Sequence, residues 1–368
     1  MRSRMVGWLG AAGALCASVA QAEITREYGW HYDPAFRLVG ELIAQSTWSH
    51  PRYSLNGGHM QYTNEVIACA TFTHNAGTNR VLAKLGMCSM APTYYILHGG
   101  LLDAETVIMD PTGSPCSFNQ HGGVHRVNRL IMQTYRGREF FQSIYTMEWG
   151  ELEVRDVTLL DMVLFEHKNG NVRHTGLLTM AGGTWQAKPG TQEFGQVLVV
   201  RSPYGSSNSS LAMPAAPAVV RFADSRAQNW ETGATLFIHA WDGSTNGSGD
   251  QQVFFGDGSG ITTQQLAQIR FANVVGQFPG VFPAKQTPTG EVVPVIGPEE
   301  PPVLRITSRT SNSIYLTWPF GYTLESSTNS TGPFQDMWRF SHTAPNRSGA
   351  GWEWCHRDDQ MRLYRLRK

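Results

Sequence analysis

Two carboxylates held roughly 5–10 Å apart over a groove can cleave a glycosidic bond, and a tighter acidic cluster can bind calcium. Asp103, Glu105, Glu151, Glu153 and Asp156 are the acids whose spacing invites either reading. Two of them, however, belong to an alternating series: Arg80, Asp103, Arg126, Glu153 and Arg173 follow one another at similar intervals. Arginines on both sides of a carboxyl favour its charged form, the opposite of what a general acid needs. The acids are therefore expected to form a solvated face, and no catalytic residue is assigned.

Histidines are numerous in the same region: His74, His98, His121, His125, His167 and His174. No two show metal-ligand spacing with a third ligand nearby, so no metal site is assigned and polar positions beside turns are expected. The loop at 242–250 has the composition of a calcium-holding turn but lacks the ordered oxygens and distal bidentate glutamate of an EF-hand, and Asx and glycine residues make turns without ions. Trp338, Trp352 and Trp354 could stack on sugar rings, although packing the core of a small module is the plainer role. No Gly-x-Ser-x-Gly, phosphate-loop or dinucleotide signature appears, and no cofactor is expected.

These residues lie on a repeat. Gly58, Gly77, Gly100, Gly123, Gly150, Gly170 and Gly183 each have a large apolar residue five positions upstream: Tyr53, Phe72, Tyr95, Phe118, Tyr145, Phe165 and Leu178. The unit recurs at roughly twenty residues, the period of one turn of a stacked β-structure. After each glycine the second and fourth positions are mostly apolar and the first and third mostly polar, which reads as a strand with one buried face. The third position carries Gln61, Arg80, Asp103, Arg126, Glu153, Arg173 and Gln186. Stacked about 4.8 Å apart, those residues would form an outward ladder of alternating charge. The fold expected is all-β: a β-solenoid with an aromatic column inside, a β-rich cap and a small antiparallel C-terminal module. Glycine-rich hairpins and a propeller are the alternatives; the short gap between Gly170 and Gly183 means that the stack tapers there or that the last unit is misassigned.

Lys+Arg and Asp+Glu are equal at 29 each, so no charge excess points to nucleic acid or an anionic membrane. Arg2 and Arg4 precede an apolar run ending in Ala20-Gln21-Ala22, the pattern of a signal peptide. Cys16 would suggest a lipid anchor, but Leu15 stands where a small residue is needed. No other apolar stretch is long enough to span a bilayer. Four cysteines follow, Cys69, Cys88, Cys116 and Cys355, with neither zinc spacing nor a disulfide framework. Cys69 and Cys116 are expected at similar places two coils apart, beyond disulfide reach.

The chain therefore divides into a signal peptide at 1–22, an N-terminal cap at 23–52, coils at 53–200, a solenoid end region at 201–296, a stiff proline-rich linker at 297–302 and a β-module at 303–368. The amphipathic stretch at 34–44 is read as the cap, with a partner-binding helix as the alternative. Within the end region, Val220-Arg221-Phe222-Ala223-Asp224-Ser225, Trp230, Gly233-Ala234-Thr235-Leu236, Trp241-Asp242-Gly243-Ser244, Val253-Phe254-Phe255-Gly256, Leu266-Ala267-Gln268-Ile269-Arg270-Phe271 and Thr289-Gly290-Glu291-Val292-Val293-Pro294 stand in order. This series resembles the tail of bacterial autotransporter-associated β-strand-repeat proteins. The resemblance implies a secreted, passenger-like solenoid and transfers no catalytic residue. The sequence departs from that family at its end, where the hydrophobic sorting helix, its basic flank and a β-barrel translocator are missing. The terminal strands are similar to fibronectin-like modules of secreted bacterial proteins.

The expected function is an exported, non-enzymatic surface or extracellular protein acting in adhesion or structure, with extracellular glycans or cell-surface components as partners. The alternatives are a solenoid polysaccharide lyase or glycoside hydrolase, and carbohydrate binding through the C-terminal module.

Overall fold

The computed structural model describes residues 52–89, 92–111, 114–134, 143–277 and 280–296, and the backbone alone of strands at 24–27, 41–45 and between 305 and 367. The expected signal peptide, most of the amphipathic stretch and the linker lie outside the described residues. What is described is a β-solenoid whose coils stack in parallel. A propeller, whose blades pair antiparallel strands, is excluded by that pairing.

Each coil as far as Val199 has three walls. On the first wall Tyr53, Phe72, Tyr95, Phe118, Tyr145 and Phe165 are successive partners. Ring centroids from Phe72 to Phe165 lie 5.1, 4.8, 4.7 and 4.7 Å apart. That is the spacing of neighbouring strands, so the rings ride one per coil. A glycine corner leads to the second wall, where Gln61, Arg80, Asp103, Arg126, Glu153 and Arg173 stand in the expected ladder. After a bend comes a third wall. Its inward positions read Glu65, Leu85, Val107, Leu130, Val157, Leu178 and Val197, then Ile67, Met87, Met109, Met132, Leu159, Met180 and Val199.

The corner needs glycine for two reasons. Gly150 has φ 92°, a left-handed conformation that side chains resist. A Cβ built on it would also lie 2.5 Å from the carbonyl oxygen of Gly123 in the coil before.

The seventh unit was expected at Leu178 and Gly183, and the structure corrects this. Leu178 belongs to the third wall, paired with Val157 and Val197. The aromatic column continues instead from Phe165 to Trp185, stacked at 3.9 Å. Trp185 has its own glycine five residues on, Gly190, at φ 87°. Inward positions of the third wall are also apolar, so an apolar residue falls five before Gly183 without belonging to the column. Gln186 accordingly leaves the charge ladder and pairs with Glu166. The first-wall column runs on past residue 200 through Leu211, Ile238 and Phe271.

Both ends of the first wall carry an antiparallel strand. Ile24–Glu27 lies on residues 52–55, and Val281–Gln286 lies on residues 270–272. Glu41–Gln45 is a strand parallel to residues 64–68, so this end of the amphipathic stretch extends the third wall rather than forming a helix. A short helix, Thr263–Leu266, starts with a capping box between Thr262 and Gln265. Beyond residue 304, antiparallel strands form two three-stranded sheets.

The alternation of tyrosine and phenylalanine has a cause inside the lumen. Tyr145 donates its hydroxyl proton to Gln120 Oε1 at 2.7 Å and lies 2.8 Å from His125 Nδ1. The Tyr95 hydroxyl accepts from Asn79 Nδ2 at 3.3 Å and faces His74 Nδ1 at 3.2 Å. In both cases the partners stand three before and two after the glycine of the preceding coil. Beneath Phe72, Phe118 and Phe165 the same two positions are Leu55 and Met60, Leu97 and Leu102, and Met147 and Leu152, all buried. Tyrosine thus follows a polar coil and phenylalanine an apolar one. Tyr145→Phe should lower stability by about 1–3 kcal/mol, because buried Gln120 and His125 lose their partner. Phe118→Tyr should cost a similar amount, and adding Leu97→Gln with Leu102→His should recover part of it. Thermal and denaturant unfolding of these variants checks this; a Phe118→Tyr protein as stable as wild type would sink it.

Candidate functional site

Four of the five suspected acids are engaged by neighbouring groups. Asp103 lies 3.5 Å from Arg80 Nε, and Glu153 accepts from Arg126 Nε at 2.8 Å. Arg126 stands between the two carboxylates in the ladder, and both acids raise its pKa, Glu153 more strongly. Glu105 accepts from Asn128, one coil away. Asp156 takes the Leu177 amide and Arg155 Nε at 3.0 Å each. Partial burial opposes its charge, but those two donors prevail and hold its carboxyl below the ordinary value. Glu151 is exposed on the second wall beside Gly150.

The histidines divide into two sets. His74, His125, His167 and His174 are buried. His74 and His167 do occupy equivalent rungs, with Leu97, Gln120 and Met147 between them. His167 Nδ1 lies 3.0 Å from Gln192 Oε1, and His174 Nδ1 accepts the Gly195 amide at 3.0 Å. Burial holds all four rings neutral, pulling His125 down to about 3 and His167 and His174 down to about 4. His98 and His121 lie outside, stacked at 5.0 Å on the rim two residues before each corner glycine. That rim is a ladder of its own. His121 Nδ1 lies 2.7 Å from Glu148 Oε2, and Lys168 Nζ lies 3.7 Å from Glu148 and 3.3 Å from Glu166.

One buried acid was missed by the sequence reading. Glu65 occupies the otherwise apolar inward column of the third wall, with no solvent exposure. Its Oε2 accepts from Asn79 Nδ2 at 2.8 Å, and its Oε1 has no partner. Glu65, Asn79, Tyr95 and His74 thus form a polar seam from all three walls, built across three successive coils. Burial pushes the Glu65 carboxyl up to about 7, partly offset by Asn79. The signal was available: seven or eight residues after each glycine the chain reads Glu65, Leu85, Val107, Leu130 and Val157.

At 242–250 protein groups do the holding. Ser248 N donates to Glu291 Oε2, and Asp242 N to Gln251 Oε1, each at 2.7 Å. Glu291 is buried beneath the loop, and burial raises its carboxyl despite the Ser248 amide. Among the described residues no group of three or more His, Cys, Asp or Glu is placed to hold a metal ion, and no helix is long and apolar enough to cross a membrane. Cys116 pairs with Thr93, whose Oγ accepts from Cys69 N at 3.1 Å, so the two cysteines sit on either side of that coil. Trp338 lies outside the described residues. Trp352 and Trp354 are described by backbone alone, opposite Thr317 and Tyr315 in an antiparallel pair.

No family model, curated protein or solved structure matches the chain. The fold defines it as a parallel β-solenoid with antiparallel strands at its C-terminal end.

The polar seam makes stability depend on pH with a definite sign. The folded chain keeps a proton on Glu65 up to about pH 7, while the unfolded carboxyl releases it near 4.5. The Glu65 contribution is therefore complete below 4.5 and is lost as pH rises through 7. The buried histidines act in the opposite sense: their contribution is complete above about 6.5 and declines as pH falls toward 4 and 3. Glu65→Gln should abolish the first loss, gaining roughly 2–3 kcal/mol on wild type between pH 4.5 and 7.5. Unfolding at those two pH values checks this, and an unchanged gap between the proteins would contradict it.

Proposed function

We propose that this chain is an exported, non-enzymatic β-solenoid of the cell surface or extracellular space, passenger-like in the sense of the autotransporter-associated repeats, serving as a scaffold or adhesive stalk. The observation that carries this reading is the use made of the reactive residues. Most of the acids and histidines that suggest chemistry are spent on holding coils together, as rungs outside or as hydrogen-bond partners inside. A general acid, by contrast, needs an environment that sets its proton apart from its neighbours'. The signal-like N-terminus and the even charge balance fit a protein that works outside the cytoplasm.

Expression of the full chain in a Gram-negative host, with cell fractionation and N-terminal sequencing, is expected to recover protein outside the cytoplasm and cleaved after Ala22. The purified protein should release no oligosaccharides from plant and algal polysaccharides. Retention in the cytoplasm would refute export. Release of oligosaccharides that disappears with Asp103→Asn or Glu153→Gln would replace this reading with a solenoid lyase or hydrolase.

A further inference from the structure

Trp149 breaks the pattern of its surroundings. It is 60% exposed, the most exposed large hydrophobic residue described, whereas Trp185, Trp230 and Trp241 are buried. It stands immediately before the corner glycine Gly150, in a column whose two preceding rungs are Gly122 and Gly99. Those rungs are bare by necessity: a Cβ would lie 2.3 Å from the His98 carbonyl oxygen at Gly122 and 2.6 Å from that of Asn75 at Gly99. The column before Trp149 is therefore bare backbone at two successive rungs, neither of which can carry a side chain of its own.

The neighbouring column supplies the polar groups. His98 and His121 are stacked there, and Glu148 follows on the rung of Trp149, held at 2.7 Å by His121 Nδ1. Among the described residues neither ring nitrogen of His98 nor Nε2 of His121 has a hydrogen-bond partner, although the His98 amide donates to the His74 carbonyl. The side chains of His121, Glu148 and Lys168 are 34, 37 and 46% exposed, so a ligand reaches them from solvent. The charges are paired locally, with Glu148 between His121 and Lys168, which leaves hydrogen-bonding capacity without a strong net field.

We propose that this corner is a glycan-binding subsite: the indole of Trp149 packs on the apolar face of a pyranose ring lying along the Gly122–Gly99 floor, while His98, His121 and Glu148 hydrogen-bond its hydroxyls. A flat aromatic surface beside clustered donors and acceptors matches a ring with one apolar face and a hydroxyl rim. An ordinary exposed tryptophan has no such setting. The inference deepens the adhesive reading above and rests on it for where the glycan is met. The ligand is polymeric or surface-borne, because the site is open along the stack and encloses nothing.

The test uses the purified full chain against a panel of soluble β-glucan, xylan, mannan and polyuronate, followed by intrinsic fluorescence and affinity electrophoresis. At least one polysaccharide is expected to retard the protein and perturb tryptophan emission. Trp149→Ala should weaken that binding about tenfold or more. His98→Ala and Glu148→Gln should each weaken it less. Unfolding midpoints should be unchanged for Trp149→Ala, because that side chain is exposed. Binding that survives Trp149→Ala overturns the proposal, as does a panel on which nothing binds. A dimer in sedimentation that dissociates with Trp149→Ala, without glycan binding, would also overturn it and make this corner a self-association surface. Binding by a protein that fails to be exported would keep the subsite and remove the export reading, so the two fail separately.

Discussion

A tyrosine hydroxyl sealed between stacked coils can bond only to what its own coil and its neighbours provide. In this solenoid the coil beneath provides it, at two fixed places. Gln120 and His125 serve Tyr145, and His74 and Asn79 serve Tyr95. The true repeat of the interior is therefore two coils, one polar and one apolar. The exterior has the same period, since the ladder on the second wall alternates arginine with acid. Each exposed ion pair contributes only about 0.2–1 kcal/mol. Stacking rings and aliphatic columns carry most of the stability, and those would tolerate several alignments. Slipping a coil by one rung would set a tyrosine over Leu97 and Leu102, and would bring Asp103 beside Glu153. Both errors are costly, so inner polarity and outer charge enforce one alignment.

Much of this was legible in the sequence. A glycine five residues after an aromatic, repeated with alternating polarity, specifies a corner and a wall, and the register follows from spacing. The Tyr and Phe alternation was visible too, but its meaning required knowing which residues of the preceding coil face it. The seventh unit was misread because two walls both present apolar residues inward, so one apolar position before a glycine does not say which wall it is on. Counting from Trp185 to Gly190 would have repaired it. Glu65 escaped because the third wall was never treated as a repeat, and an acid in a column of Leu and Val is conspicuous only once the column is drawn. The 34–44 stretch was read as a cap with a helix as the alternative, and its end at 41–45 is a strand on the third wall.

Glu65 and Trp149 are instructive together. Each is an exception to a column: an acid among aliphatic residues, and a large apolar ring after two glycines. In a stacked repeat, a residue that obeys its column is explained by its neighbours above and below. Asp103, Glu153, Gln120 and His125 are explained in this way, and nothing further is required of them. Glu65 breaks its column, but its Oε2 answers to Asn79, which answers to Tyr95 in turn, so the seam inside the lumen meets its exception in part and leaves Oε1 without a partner.

Trp149 has no such absorber. Most of its side chain stands in solvent, beside two rungs whose glycines leave no room for a Cβ. Leaving an indole in water forgoes roughly 1.5–3 kcal/mol that burial of a large side chain would return. Repeats tolerate such a loss at isolated surface points. Here, though, it falls at a corner where two imidazoles and a carboxylate gather on adjoining rungs. A column's exceptions therefore sort by whether the fold itself satisfies them. The exception left unsatisfied, with polar groups at its side, is where an outside partner has something to gain.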